Sequence, residues 1–203
     1  QDAYYRYLQT IKPFQSDWLR DEFARAIHAK DMLVKGPLIE ISPPFVTAAS
    51  LSDLVQEGVL SKRFQRLCSD EHLPYTRKLY QHQVSAIRKV VGGRNIVVAT
   101  GTGSGKTESF LIPILNQLLR EEEQGTLRQP GVRALLLYPM NALANDQLKR
   151  LRGLLANYPA ITFGRYTGET KNTLKEAREI FLKNNADQEP LANELICREQ
   201  MQA

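Results

Sequence analysis

Thr100-Gly101-Thr102-Gly103-Ser104-Gly105-Lys106-Thr107 is the stretch on which the reading of this chain turns. Before it, Asn95–Ala99 is a short β-branched apolar run suited to a strand buried on both faces. After it, Phe110–Arg120 carries leucines at helical spacing, with Pro113 predicting a kink or distorted early turns. Between strand and helix, such a run has a physical meaning. Its small residues let the backbone curl until successive N–H groups converge on phosphate oxygens. The helix opening near Gly105 adds the positive end of its dipole. Lys106 then reaches the outer phosphates as a mobile cation, and Thr107 offers its hydroxyl to Mg²⁺. Lys106 and Thr107 are therefore the expected catalytic positions, with Thr107 the metal position. The strict pattern wants glycine where Thr100 stands.

Outward from this loop, the chain alternates between the two periodicities. Upstream, Val84, Ile87, Val90 and Val91 make a helix face that stops at Gly92-Gly93. Downstream, Glu121–Gly131 reads as a polar loop. Arg133–Tyr138 follows as a second buried strand, Ala142–Leu155 as a helix and Ile161–Tyr166 as a third strand. Alternating strands and helices imply right-handed crossovers and a parallel sheet. Lys171–Lys183 is a further amphipathic helix candidate, and Asn184–Pro190 a polar break.

Residues 1–75 have a different texture, small helices joined by an extended connector. Ser16 is placed to cap a helix bearing Leu19, Phe23 and Ile27 as one apolar stripe. Pro37 and Pro43-Pro44 force extended backbone. A short helix then starts from Ser50, with Asp53 at its third position and Gly58 as its stop. Trp18 and the tyrosines here read as packing residues.

Composition narrows the class. Hydrophobic residues make up 42% and charged residues 24% of 203, the balance of an ordinary globular protein. No apolar run approaches the roughly 20 residues that span a bilayer, and the first ten residues lack the apolar core of a signal peptide. Cys68 and Cys197 provide no disulfide framework, which suits the cytoplasm. His28, His72 and His82 lack zinc-type spacing and read as ordinary surface or packing residues. The net charge of +5 is concentrated in Ser61–Arg94, where eight basic residues face only Asp70 and Glu71. That window could attract a phosphate backbone or be a solvated helix face; charge alone does not decide.

The run TGTGSGKTES (100–109) resembles motif I of superfamily 2 helicases, where the first position is often not glycine. LYQHQVSAI (79–87) resembles the same family's Q motif. The resemblance puts Gln83 on the glutamine that reads adenine, with Tyr80 close by, and so implies ATP. A carboxamide suits that task because it donates and accepts at once. The implied ATP site comprises Tyr80, Gln83, Thr100, Gly101, Thr102, Gly103, Ser104, Gly105, Lys106 and Thr107.

LLLYPMNALANDQ (135–147) resembles motif Ia, which grips a nucleic-acid backbone. By position the resemblance assigns this role to Pro139, Asn141, Ala142 and Gln147. Pro139 ends the strand, and Asn141 is placed to cap the next helix. GRYTGET (164–170) resembles motif Ib, adding Thr167 and Gly168. The wording is also similar to the large bacterial DNA helicases of the MrfA type and to those of Druantia and DISARM anti-phage systems. That implies DNA rather than RNA as the partner nucleic acid, a defence-system partner protein and a longer parent chain.

After Thr170 no apolar strand ends in Asp-Glu, so the acid pair expected to hold Mg²⁺ and polarise water is absent. The fold expected is α/β, part of a RecA-like P-loop domain with a parallel sheet, preceded by a small mainly helical segment. Residues 1–75 form the helical accessory segment, and 76–203 the first half of the helicase ATP-binding domain. The activity expected is ATP-dependent helicase or translocase work by the whole protein, its remaining lobe acting as a partner, with 1–203 alone inactive. A P-loop phosphotransferase or metabolic ATPase would explain the loop but leave Gln83 and Tyr138–Gln147 as coincidences. A non-catalytic scaffold would bind no nucleotide.

Overall fold

In the computed structural model, residues 2–11, 13–29, 44–185 and 188–202 are described. The expected extension at Pro37 and Pro43 lies outside them. The chain divides into two compact units, Gln1–Pro44 and Phe45–Ala203. This boundary differs from the one expected near residue 75. Among the described residues, no helix is long and apolar enough to cross a membrane.

The first unit holds α1 (Asp2–Ile11) and α2 (Asp17–His28). Ser16 caps α2 as expected, its side chain accepting from the Leu19 N–H. The apolar stripe is only partly covered: Ile27 is buried, Phe23 packs at 5.2 Å from Phe14, and Leu19 stays exposed. Trp18, expected to pack, is 67% exposed, and Tyr4 and Tyr7 are also exposed. Two short helices have too little surface to cover so many large side chains.

The second unit begins with β1 (Thr47–Ser50), α3 (Leu51–Gln56) and α4 (Phe64–Leu67). At α3 the Ser50 side chain accepts from the Asp53 N–H, and the Asp53 carboxylate accepts in turn from the Ser50 N–H. This reciprocal cap, worth about 1 kcal/mol, fixes where the helix starts. Strand β2 (Lys78–Tyr80) pairs antiparallel with β1, Thr47 opposite Tyr80 and Ser50 opposite Lys78. It leads directly into α5 (Gln81–Val91), whose Val84 and Ile87 are buried.

Helix α6 (Lys106–Glu123) is the centre of the core. Leu111, Ile112, Leu115 and Leu119 pack with Leu51, Leu54, Phe64, Val84 and Ile87. Fully burying each such side chain stabilises by about 1.5–3 kcal/mol. The helix runs unbroken through Pro113. Pro113 costs the Ser109 carbonyl its usual N–H, while the buried residues on either side hold the helix together. Polar bonds fasten the same helix to the segment before α4. Asn116 Oδ1 accepts from the Ser61 N–H at 2.7 Å, and Arg120 donates to the Val59 carbonyl at 3.0 Å. Residues 45–75 thus pack with the loop-bearing helix.

Helix α7 (Asn141–Leu155) follows, then β3 (Phe163–Gly164) and α8 (Leu174–Asn184). Strand β4 (Glu194–Leu195) and α9 (Arg198–Gln202) complete the order. Strands β3 and β4 pair in parallel, Phe163 opposite Glu194. The third expected strand is thus shorter than Ile161–Tyr166. The Asn193 amide donates to the carbonyls of Leu155, Tyr158 and Ile161, tying off the end of α7.

The other two expected strands are corrected more strongly. Residues 94–101 and 132–138 form no hydrogen-bonded strand. They retain a partial alternation: Ile96, Val98, Leu136 and Tyr138 are half-buried, whereas Val97, Leu135 and Leu137 are exposed. Only one face is covered, because a strand buried on both sides requires paired neighbours and helices on each face. The fold is α/β in its elements, with small two-stranded sheets among the described residues.

Candidate nucleotide and nucleic-acid site

Thr100–Thr107 links the extended segment before it to the start of α6, as the sequence predicts. Gly103 and Gly105 take φ of 74° and 70°, the left-handed region where a Cβ is strained. The Thr100 and Ser104 hydroxyls lie 2.6 Å apart and close the loop on itself. Gly101, Thr102 and Gly103 are exposed, and nothing lies within 4 Å of the Cβ positions of Gly101 and Gly103. Ser104 is fully buried and anchors the loop from below. Lys106 Nζ crosses back to the carbonyls of Thr100 and Gly101 at 2.8 and 2.6 Å. A cation held over open backbone fits a polyphosphate. The half-buried Thr107, in the first turn of α6, is the residue whose hydroxyl would meet Mg²⁺.

Gln83 sits beside this loop. It is 4% exposed; its Oε1 accepts from the Tyr80 N–H at 2.8 Å and its Nε2 donates to the Gly105 carbonyl at 2.9 Å. The segment identified by its glutamine is therefore fastened to the exit of the loop. Between them lies His82, read from the sequence as an ordinary residue, with Nε2 2.9 Å from the Ser104 carbonyl. Tyr80 stacks on His82 at 5.7 Å between centroids, and Phe45 approaches both rings at 5.2 and 5.5 Å. Phe45 escaped the sequence reading because its contacts are distant in the chain. His82 stood next to Gln83, and that adjacency was the signal available.

The loop's inner side carries a charge pair. Glu108 is 9% exposed, and its Oε1 accepts from Arg150 of α7 at 2.7 Å. Glu108 Oε2, Ser109 Oγ and the Tyr138 hydroxyl are buried without hydrogen-bond partners. Burial pushes the Tyr138 hydroxyl's pKa up, partly offset by the positive charge of Arg150.

The residues expected at the nucleic acid fall at the start of α7, within it and after β3. Pro139, Asn141, Ala142 and Gly168 are exposed, and Gln147 and Thr167 half-buried. Asn141 is the first residue of α7 and not its cap. Met140 takes the cap position in extended backbone, and no side chain caps the helix. Asn141 is one residue too far along the chain for the role expected of it. Thr170 Oγ1 accepts from the Thr167 N–H at 2.8 Å, and Arg198 donates to the Thr170 carbonyl at 3.1 Å. Arg165 bonds Asn145 of α7, joining the Thr167 corner to that helix. Among the described residues no hydrogen bond runs directly from Asn141, Gln147, Thr167 or Gly168 to the loop.

Three relatives can be compared with this chain. It is 34% identical to the Druantia protein DruE of Escherichia coli over 196 residues, 88% of this chain and 11% of DruE. Over 107 residues it is 35% identical to the ATP-dependent helicase hrq1 of Schizosaccharomyces pombe, 53% of this chain and 9% of that protein. Over 132 residues it is 40% identical to the ATP-dependent rRNA helicase spb4 of Emericella nidulans, 65% and 18% respectively. The chain thus spans less than a fifth of the length of each of these relatives. No solved structure matches it. The family pattern of the DEAD/DEAH box helicases matches residues 80–188, from the partner of Gln83 through the phosphate loop and past the Thr167 corner. That span exceeds half of the sequence, and the chain belongs to the DEAD/DEAH box helicase family.

Proposed function

We propose that this chain is the ATP-binding portion of an ATP-dependent helicase or translocase that works on DNA. The observation that carries the reading is the Gln83–Gly105 bond, which makes one unit of the adenine-reading segment and the phosphate loop. The bonded Gln83 amide retains one N–H and a lone pair, enough for the edge of adenine. Gly101, Thr102, Gly103 and Ser104 cradle the phosphates, Lys106 neutralises them, and Thr107 holds Mg²⁺, which supplies charge for phosphoryl transfer.

A single strand runs over Pro139, Asn141, Ala142, Gln147, Thr167 and Gly168, contacted through its backbone. Residues 76–203 are the first half of a RecA-like domain. Residues 1–75 are an accessory segment whose latter part packs on that half. The second lobe and the acid pair come from elsewhere in the whole protein, which acts in the cytoplasm. Support for DNA and for anti-phage defence comes from the resemblance of YPMNALANDQ to Druantia-type helicases and from the DruE match across most of the chain.

The test is phosphate release by the full-length protein with single-stranded DNA, duplex DNA or RNA. Stimulation by DNA well above that by RNA is expected. Stimulation by RNA alone would reverse the substrate assignment, as the spb4 relationship would then suggest.

A further inference from the structure

Glu108 and Arg150 form the one direct hydrogen bond or ion pair between α6 and α7 among the described residues. Glu108 lies in the first turn of α6, immediately after Thr107, and Arg150 lies nine residues beyond Asn141. A rigid helix carries displacement over that length, about 13–14 Å. The pair therefore links the helix that opens at the phosphate loop to the helix that opens at Asn141.

Its internal geometry points toward the loop. Glu108 Oε1 is held by Arg150, whereas Oε2 has no partner. Oε2 lies 3.1 Å from where a Cβ on Gly105 would stand, and Gln83 Nε2 lies 2.4 Å from the same point. Glu108 Oε2 thus lies beside the left-handed residue at which the phosphate loop becomes helix. A buried ion pair is weak evidence for stability, since desolvation offsets the attraction. One placed for stability alone would also satisfy both carboxylate oxygens.

We infer that Arg150 and Glu108 are positioning residues that couple nucleic-acid contact on α7 to the geometry of the phosphate loop. The inference rests on the helicase reading above. Movement of α7 shifts Arg150, Arg150 carries the Glu108 carboxylate, and the carboxylate sets the backbone at Gly105. Neither side chain touches the phosphates. Their effect passes through Gly105 to Lys106 and Thr107.

The experiment measures ATP turnover by the full-length protein, with and without single-stranded DNA, in Arg150→Met, Arg150→Lys and Glu108→Gln/Arg150→Met. The double variant removes both charges, so a loss of folding in Arg150→Met alone leaves the test intact; thermal unfolding monitors each protein. In the double variant stimulation by DNA falls roughly fivefold or more, the low end of ordinary coupling between sites, and by a larger factor than basal turnover. Arg150→Lys keeps a cation facing Glu108 and restores part of the stimulation. Wild-type stimulation in a folded double variant would overturn the coupling, as would equal loss of basal and stimulated rates. A wild-type protein whose turnover ignores DNA and RNA alike would instead overturn the helicase reading, and the coupling with it.

Discussion

Gln83 Nε2 donates to the carbonyl oxygen of Gly105 at 2.9 Å, joining the first turn of α5 to the residue from which α6 starts. Gly105 has φ of 70°, so the bond holds a conformation that few other residues tolerate. The same amide accepts from the Tyr80 N–H, so one buried side chain serves two backbone groups.

Gln83→Ala leaves both groups unpaired, at a cost of about 1–3 kcal/mol in stability. If the remaining donor and acceptor also read adenine, ATP should weaken more than GTP, by about 1–3 kcal/mol of discrimination. Nucleotide affinities and thermal unfolding of the variant separate the two roles. Equal losses for ATP and GTP would leave Gln83 with the structural role alone.

The end of α6 predicts a response to pH. Glu122 receives the Tyr158 hydroxyl and pairs with Arg63 at 2.8 Å. Burial pushes its carboxyl pKa upward, but Tyr158 and Arg63 outweigh burial and hold it below the ordinary value of 4.5. Its contribution is therefore present above that ordinary value and lost as pH falls through the lowered one. Tyr158 is pushed up to about 12, first by burial and then by its bond to Glu122. Its contribution is full below the ordinary tyrosine value of 10.0 and disappears as pH rises through about 12. Unfolding midpoints followed across pH should show a shallower acid limb in Glu122→Gln and a shallower alkaline limb in Tyr158→Phe. Limbs superimposable on wild type would remove this network from the account.

Asn141→Ala and Gln147→Ala should weaken DNA binding, or its stimulation of turnover, while ATP affinity stays nearly constant. The contacts proposed are to the backbone, so the loss should be similar across sequences and depend on salt. Titrations with two unrelated single strands at two salt concentrations check this. Unchanged binding and unchanged stimulation would mean that the start of α7 is not part of the track.

What the sequence disclosed was local. Ser16 and Ser50 announce their helices because a cap needs only the next three residues. The phosphate loop reads itself through glycine spacing, and α5 through the period of Val84 and Ile87 and the stop at Gly92. Asn141 misled by one position, because Met140 already supplies the extended backbone that a cap requires. Pro113 leaves α6 unbroken because burial of Leu111, Ile112 and Leu115 outweighs one lost hydrogen bond. Asn95–Ala99 and Arg133–Tyr138 show apolar character but cannot show which neighbours complete a sheet. Phe45, Glu108 and Arg150 stayed silent because their meaning lies in contacts across long sequence separations, 42 residues for the ion pair.

Lys106 carries the central claim, since its Nζ spans the loop between the carbonyls of Thr100 and Gly101. The decisive measurement is ATP turnover by full-length Lys106→Ala beside wild type, with and without single-stranded DNA. Losing such a cation should reduce the rate roughly a hundredfold or more, with the unfolding midpoint little changed. Near-wild-type, DNA-stimulated turnover in a folded Lys106→Ala protein would contradict the assignment of Thr100–Thr107 as the site of ATP hydrolysis.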